Sequence, residues 1–263
     1  MKVGKTAKTI IIIIICFSMY LYFRDYFKAI KTWLDPITNF GLLSYFLTYV
    51  ILGIPLFIGT YLINFNKNIW KDLGLSLNII KPFVYALLFA IPMLLGGIIF
   101  FDFNADINTQ NILAGSIVIG FIEELFFRGF LFGQLFKNTK LGFIPAIFFG
   151  ALVFAMGHLY QSQDIFELFG IFTVTFMGAV LFAWLYVEWN YNLWIPIFLH
   201  ALMNLSWNLF AMDETALGGL LPNILRGLTI TLAIGFTIIY KRKRNMDMAI
   251  TKNTLFTSLS ISK

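Results

Sequence analysis

The feature that most constrains this chain is a series of apolar segments, each close to the length of a membrane-spanning helix. Such a helix needs about 20 consecutive, mostly apolar residues. Eight candidates occur in the 263 residues, at 9–23, 40–63, 82–101, 111–136, 142–160, 166–187, 191–212 and 219–240. The connections between them are too short to hold a soluble domain. The sequence therefore predicts an all-α polytopic membrane protein.

The composition agrees with a lipid bilayer as the surrounding solvent. Apolar residues make up 59% of the chain and charged residues 12%, whereas a soluble domain uses about 25% charged residues. The net charge of +6 could indicate nucleic-acid binding, but the densest basic run, 241–244, directly follows an apolar segment. That is the usual position of a topology signal, so the expected partner is the bilayer and not nucleic acid. With Cys16 as the one cysteine, no disulfide within the chain is possible.

The basic residues between the segments predict an orientation. If the N-terminus is cytoplasmic, the inner connections hold Lys2, Lys5, Lys8, Lys67, Lys71, Lys81, Lys137, Lys140 and the run 241–244. The charged residues of the outer connections include Arg24, Lys28 and Lys31 in the first loop and are acidic in the later loops. Because cytoplasmic loops are rich in Lys and Arg, both termini are expected in the cytoplasm. The first segment has no small-residue cleavage site and is interpreted as a retained helix, not a signal peptide.

Polar side chains interrupt the fourth, fifth and seventh segments. They are Glu123, Glu124, Arg128, His158, His200 and Asn204. A charged side chain at the centre of a membrane helix costs about 2.5–3.5 kcal/mol, so such residues indicate function by default. Both histidines of the chain belong to this set. We expect the six side chains to form one site.

Helical spacing separates the two glutamates. Glu124 and Arg128 are four residues apart, as are His200 and Asn204, so each pair shares a helix face. Glu123 is rotated by about 100° from Glu124, so Arg128 can neutralise one carboxylate while the other faces a different surface. Two adjacent carboxylates in a low dielectric do not both ionise easily. A carboxylate in such a setting is suited to act as a general base on water.

Each pair also has a structural explanation. Glu124 and Arg128 alone would most simply lock helix packing. A membrane histidine often makes an interhelical hydrogen bond, and His200 with Asn204 could do the same. These explanations do not account for the whole set, which converges on three helices.

Together, three motifs resemble the signature of the CAAX protease and bacteriocin-processing (CPBP, or Abi) family of intramembrane peptidases. They are Glu-Glu-x-x-x-Arg at 123–128, Phe-x-x-x-His at 154–158 and His-x-x-x-Asn at 200–204. The resemblance covers roughly residues 111–212, and the short Asp-Leu-Gly-Leu sequence at 72–75 also looks family-like. The chain thus divides into N-terminal helices (1–110), a catalytic core (111–212) and a last helix with a basic cytoplasmic tail (213–263).

The resemblance implies an eight-helix fold with a catalytic cavity in the membrane that opens toward the cytoplasm. By this analogy Glu123 would activate the attacking water and His158 would help to position it. His200 and Asn204 would stabilise the oxyanion that forms on the scissile carbonyl.

Glu124 and Arg128 would orient this site. Two histidines and a glutamate could hold zinc, but no His-Glu-x-x-His sequence is present. No metal or other cofactor is therefore assigned. The expected partner is a membrane-associated peptide or protein substrate.

Three functions compete. The first is a membrane endopeptidase, for which CAAX processing, maturation of a secreted peptide and cleavage of a membrane regulator are equally compatible. The second is a non-catalytic bacteriocin-immunity or scaffold protein. The third is an ion-coupled transporter, disfavoured because no repeat symmetry or broken helix is evident. Frequent Ile, Lys, Asn and Phe hint at an AT-rich bacterial genome, so a bacterial plasma membrane is the expected location.

Glu123 and His158 are predicted at different depths in the membrane, which argues against a single site. Glu123 lies about 18 Å from the outer end of its predicted helix at 1.5 Å per residue. His158 falls near the outer end of the next segment. A helix that starts later, near Pro145, or a tilted or broken helix would bring the two level.

Overall fold

The computed structural model describes residues 4–65, 68–105 and 108–257. Its elements are α1 (Lys5–Arg24), α2 (Phe27–Thr38), α3 (Gly41–Leu52), α4 (Ile54–Asn64), α5 (Ile69–Leu73), α6 (Ile80–Phe100), α7 (Thr109–Leu113), a π-helix π1 (Ala114–Val118), α8 (Ile119–Glu123), a second π-helix π2 (Glu124–Phe132), α9 (Gly133–Asn138), α10 (Phe143–Met156), a 3₁₀ turn (Leu159–Gln161), α11 (Ile165–Glu188), α12 (Trp194–Leu209) and α13 (Leu220–Lys243). Within these ranges the extended structure is limited to an isolated bridge between Leu141 and Thr257. The predicted all-α class is confirmed.

Several helices are long and apolar enough to cross a membrane. In the described part of the chain, five qualify, namely α1, α6, the stretch Phe143–Gln161, α11 and α13. The pair α3 and α4 adds a sixth if it is taken as one span bent by 42°. The protein is therefore a polytopic membrane protein. The other two predicted spans correspond to 109–138, which has irregular winding, and to the 16-residue α12, so a total of eight stays a prediction.

The bend between α3 and α4 corrects the expectation that no helix is broken. At Gly53 an added Cβ would lie 2.6 Å from the ring of Phe126, so the side chain of a neighbouring helix packs directly against the backbone. Pro55 follows in the first turn of α4, and it cannot donate a hydrogen bond to the preceding turn. The kink thus has a local cause in the sequence.

The loop expected after the first span contains a helix, α2. It has 12 residues, which is too short for a search based on spans of about 20. Leu34 is buried on one side, and Lys31 pairs with Asp35 at 2.9 Å. A helix with separate apolar and charged sides is typical of one that lies in the membrane interface.

Residues 109–138 form one continuous helix, called the site helix below, whose winding alternates between α and π. The longer π stretch has nine residues and begins at Glu124. Turns of this kind are rare and frequent at functional sites. At Gly120 an added Cβ would lie 2.9 Å from the Cα of Ala201 in α12. This close approach of two backbones brings the polar residues of the site helix next to those of α12.

The Asp-Leu-Gly-Leu turn at 72–75 ties the site helix to α11 and α12. All four of its carbonyl oxygens accept hydrogen bonds. The donors, in order, are Gln134 Nε2 (3.2 Å), Tyr186 Oη (3.4 Å), the Leu193 backbone N–H (3.1 Å) and Trp194 Nε1 (3.0 Å). Gly74 has a φ of +88°, and an added Cβ would overlap the carbonyl oxygen of Tyr191. The turn therefore requires glycine at this position.

The chain after α13 folds back onto the ends of α10 and α11. Glu188 accepts hydrogen bonds from Lys241 Nζ at 2.5 Å and from the backbone N–H groups of Ala249 and Ile250 at 3.0 and 2.8 Å. The carbonyls of Thr254, Leu255 and Phe256 accept from the N–H groups of Phe143, Ile144 and Gly142. The first N–H groups of a helix have no partner within it, so this tail caps α10.

Candidate active site

The two adjacent glutamates occupy different environments. Glu124 is fully buried, and its Oε1 lies 3.1 Å from Arg128 Nη1 and 2.7 Å from His200 Nδ1. The side chain of Glu123 keeps 22% of its surface exposed and lines an internal cavity. One carboxylate is therefore fixed by charge partners, while its neighbour is accessible to a ligand.

His200 lies between the two carboxylates. Its Nδ1 is 2.7 Å from Glu124 Oε1, and its Nε2 is 3.7 Å from Glu123 Oε2. The ring stacks on Phe182 of α11, with centroids 4.9 Å apart and planes 15° apart. An ionised carboxylate only accepts hydrogen bonds, so Nδ1 is the donor and Nε2 faces Glu123. Stacking and hydrogen bond together fix the orientation of the imidazole.

Arg128 is enclosed between two phenyl rings. Its Cζ lies 4.5 Å from the ring centroid of Phe154 and 5.4 Å from that of Phe182, and none of its surface is exposed. A cation over an aromatic face is attracted by the ring quadrupole, most strongly when water is excluded. Phe154, the first residue of the Phe-x-x-x-His motif, therefore helps to hold the guanidinium beside Glu124.

α10 ends at Met156, so His158 lies two residues beyond the helix, whereas the predicted segment extends to residue 160. Its Nδ1 is 2.8 Å from the carbonyl oxygen of Phe154, and the two rings are 4.6 Å apart. A carbonyl only accepts, so Nδ1 carries the proton and Nε2 is the free ring nitrogen. The difference in depth from Glu123 is bridged by a cavity that both residues line.

α12 contributes a polar face directed at the site helix. Asn204 Nδ2 lies 3.5 Å from the Gly115 carbonyl, a long contact, and Asn208 Nδ2 donates to Ser116 Oγ at 3.1 Å. Asn208 was not selected from the sequence. The signal was present, because it follows His200 by eight residues and so lies on the same face of an α-helix.

Most side chains of the candidate site line one cavity of about 760 Å³. It is lined by Glu123, His158, His200 and Asn204. Glu124 and Arg128 are buried behind its wall. Tyr20, Tyr45 and Tyr49, from α1 and α3, complete the opposite side. Nothing local in the sequence distinguishes these tyrosines from the other aromatic residues of the spans, so sequence reasoning missed them.

The mouth of this cavity lies on one identifiable face of the helical bundle. The end of α1 and the loops before α11 and α13 line the cavity there, and Arg24, Asp213 and Glu214 are exposed at this end. α1 starts and α13 ends on the opposite face. The family resemblance implies a cavity open toward the cytoplasm, and the loop charges predict cytoplasmic termini. These two expectations therefore cannot both be correct.

A second, mainly apolar cavity of about 740 Å³ lies between α11 and α13. Its walls include Gly178 and Val174 on α11 and Gly227 and Ile230 on α13. Added Cβ atoms at the two glycines would have no neighbour within 4 Å. At its inner end this groove reaches His158, His200 and Asn204, which also line the first cavity.

The same residues do not form an evident metal site. Within residues 4–65, 68–105 and 108–257, no group of three or more His, Cys, Asp or Glu side chains has the arrangement of a metal site. Nδ1 of each histidine is engaged by the protein, at Glu124 for His200 and at the Phe154 carbonyl for His158. We assign none of these residues to a cation.

Comparison with known proteins adds independent information. The family described as "Type II CAAX prenyl endopeptidase Rce1-like" matches residues 106–206, a range that contains all six candidate residues. A "Putative membrane peptidase YdiL" from Bacillus subtilis (strain 168) is 33% identical over 96 residues. That match covers 35% of this chain and 34% of the relative, about a third of each. No solved structure was found to match. Residues 106–206 are thus similar to a CAAX endopeptidase family, in agreement with the resemblance of the three motifs.

Proposed function

We propose that this protein is an intramembrane endopeptidase that hydrolyses a peptide bond in a membrane-associated peptide or protein, with water activated by Glu123. The observation that carries the proposal is the asymmetry of the glutamate pair. Glu124 is engaged by Arg128 and His200, whereas Glu123 faces a cavity of about 760 Å³. A general base must be within reach of the water it deprotonates, and the position of Glu123 on the cavity wall supports this role.

The reaction follows from the groups around the cavity. Glu123 takes a proton from water while the water oxygen attacks the carbonyl carbon of the scissile bond. The resulting tetrahedral intermediate carries an oxyanion. As the C–N bond breaks, Glu123 returns the proton to the leaving amine. The products are a carboxylic acid and an amine; the acid then gives its proton to the amine or to solvent and becomes a carboxylate, and Glu123 is again ionised.

The donors for the oxyanion are His200 and Asn204. His200 Nδ1 donates to Glu124, so Nε2 donates to an oxyanion only when the ring carries both protons. Glu124 at 2.7 Å and Glu123 at 3.7 Å are counter-charges for that imidazolium. Asn204 adds an amide donor from the same helix face. Donors fixed before the reaction stabilise developing charge most effectively.

His158 and Arg128 act in support. The Nε2 of His158 is the free ring nitrogen at the cavity wall and positions the attacking water. Arg128 keeps Glu124 in place and through it orients His200, so we regard Arg128 and Glu124 as positioning residues.

The second cavity supports a membrane-associated substrate. The apolar groove between α11 and α13 reaches three residues of the site from a different direction than the polar mouth. Apolar residues of a substrate can lie in that groove while the scissile bond meets Glu123. The protein is then an integral membrane protein, and we propose that its membrane is a bacterial plasma membrane.

The test is the Glu123→Gln variant, compared with wild type by mass spectrometry of membrane peptides from cells that express each protein. Loss of a general base lowers the rate by roughly 10²–10⁴-fold. We therefore expect one or more cleaved fragments to be absent in the variant and their uncut precursor to accumulate.

The matched control is Glu214→Gln, which removes an exposed carboxylate from the rim of the same cavity. It should leave the fragments unchanged. If Glu123→Gln yields the same fragments as wild type, while both variants insert in equal amounts, the catalytic proposal is wrong. A bacteriocin-immunity or scaffold role, which needs no general base, would then explain the site better.

A further inference from the structure

The direction in which the cavity opens decides which side of the membrane presents the substrate. From Glu123 the cavity runs to a mouth at the end of α1 and the loop before α13, where Arg24 and Glu214 lie. This surface is called the mouth face below. The opposite surface, called the tail face, holds the start of α1, the turn between α9 and α10, and the residues after α13.

Basic residues are distributed unequally between the two faces. On the tail face the described residues include Lys5, Lys8, Lys71, Lys81, Lys137, Lys140, Lys241, Arg242, Lys243, Arg244 and Lys252. On the mouth face they include Arg24, Lys28, Lys31 and Arg226. Lys2 and Lys67, which also entered the sequence argument, lie outside the described residues.

Two of the four basic residues of the mouth face are engaged by other groups of the protein, while Arg24 and Lys28 are exposed. Lys31 is paired with Asp35 at 2.9 Å. Arg226 donates to the backbone carbonyls of Ala216 and Leu217, at 2.7 Å each. On the tail face, residues 242–244 are exposed at the C-terminal end of α13. Short loops rich in Lys and Arg stay in the cytoplasm, so the tail face is the cytoplasmic one.

We propose that the catalytic cavity opens to the extracytoplasmic side, and that the scissile bond lies in an exported segment of a membrane-anchored polypeptide. This proposal rests on the function proposed above. It departs from the cytoplasm-facing cavity that the family resemblance implies. The chemical consequence is a narrower substrate class, because a segment confined to the cytoplasm cannot reach Glu123 through the polar mouth.

The sidedness is tested in the full-length protein with single cysteines. Gln163 and Lys140 flank the same helix, α10 with its 3₁₀ turn, on the mouth face and the tail face, and both are exposed. Glu214→Cys and Lys252→Cys provide a second pair. Wild type is the background control, since its Cys16 is buried. Each variant is treated with a membrane-impermeant maleimide in intact cells and again after permeabilisation.

We expect Gln163→Cys and Glu214→Cys to react in intact cells, and Lys140→Cys and Lys252→Cys to react only after permeabilisation. The inverse pattern, or equal labelling of both faces in intact cells, overturns the proposal. Failure of either mouth-face cysteine to react before permeabilisation overturns it as well. Labelling does not depend on catalysis, so this result stands even if the protein is not a peptidase.

A second measurement connects sidedness with cleavage. An acylated, internally quenched peptide library is added to intact cells that express wild type or Glu123→Gln. Cleavage at least tenfold faster with wild type supports the outward-facing site. Wild-type cleavage in disrupted membranes but not in intact cells contradicts the sidedness alone. Absence of Glu123-dependent cleavage in both preparations counts against the proposed function and leaves the labelling result to decide the orientation.

Discussion

The buried pair of Glu124 and Arg128 offers the sharpest test of how the site is assembled. Neither side chain has exposed surface, and the ion-pair distance is 3.1 Å. Removing one partner of such a pair leaves an uncompensated buried charge and costs about 3–5 kcal/mol. Arg128→Met should therefore destabilise the protein by that amount. At about 2–4 °C per kcal/mol for a chain of this size, the melting temperature should fall by roughly 6–20 °C.

Two further variants separate charge from packing. Glu124→Gln combined with Arg128→Met removes both charges and keeps comparable volumes, and replacement of a whole buried pair is often nearly neutral. Most of the loss should be recovered in this double variant. Arg128→Lys keeps the charge but not the flat guanidinium between Phe154 and Phe182, which lie 4.5 and 5.4 Å from Cζ. It should lose about 2 kcal/mol and, because Glu124 orients His200, activity as well.

The assay can use the protein's own cysteine. Cys16 has 6% of its surface exposed, so a thiol-reactive fluorescent dye reports unfolding in detergent as the temperature rises. The coupling between the two positions is the loss in the two single variants minus the loss in the double variant, and neighbours in one network typically give 0.5–3 kcal/mol. If the losses of the single variants simply add in the double variant, Glu124 and Arg128 do not act as a pair. The claim that Arg128 holds Glu124 in place would then be wrong.

Two other substitutions test the elements that support the site. Gly74→Ala should lower the free energy of unfolding by more than about 2 kcal/mol, because of the left-handed backbone and the overlap with Tyr191. Gly235→Ala, at a helix position with no neighbour within 4 Å, should raise it by up to about 1 kcal/mol. Equal melting temperatures for the two variants would contradict this. Glu188→Gln should leave buried Lys241 unpaired and release the chain after α13, so trypsin should cut at Lys252 faster than in wild type or in the control Asp247→Asn, and an unchanged cleavage rate would show that Glu188 does not hold the tail.

Much of the fold is a local property of the sequence. A run of about 20 apolar residues forms a helix in lipid whatever its neighbours are, and the predicted boundaries of the first and sixth segments lie within four residues of α1 and α11. The unusual residues could also be selected locally, because charge inside an apolar segment stands out without any knowledge of contacts. The same reasoning missed α2, which is too short for a search for spans of about 20 residues, and Asn208, which carries no charge.

Other features depend on contacts between distant parts of the chain. The hydrogen bond between His200 and Glu124 joins residues 76 positions apart. It forms because the backbones of the site helix and α12 meet at Gly120 and Ala201. The ring of Phe182 on His200 and the π-helical winding from Glu124 onward have no signature in hydropathy.

The sequence by itself determined which segments are helical, which side chains are too costly to bury without a purpose, and where the basic residues lie along the chain. Only the tertiary structure decided which of the two glutamates faces the cavity and on which face that cavity opens. The physical reason is that hydropathy and charge are read residue by residue, whereas accessibility depends on which helices pack together and on which ends of those helices leave space between them.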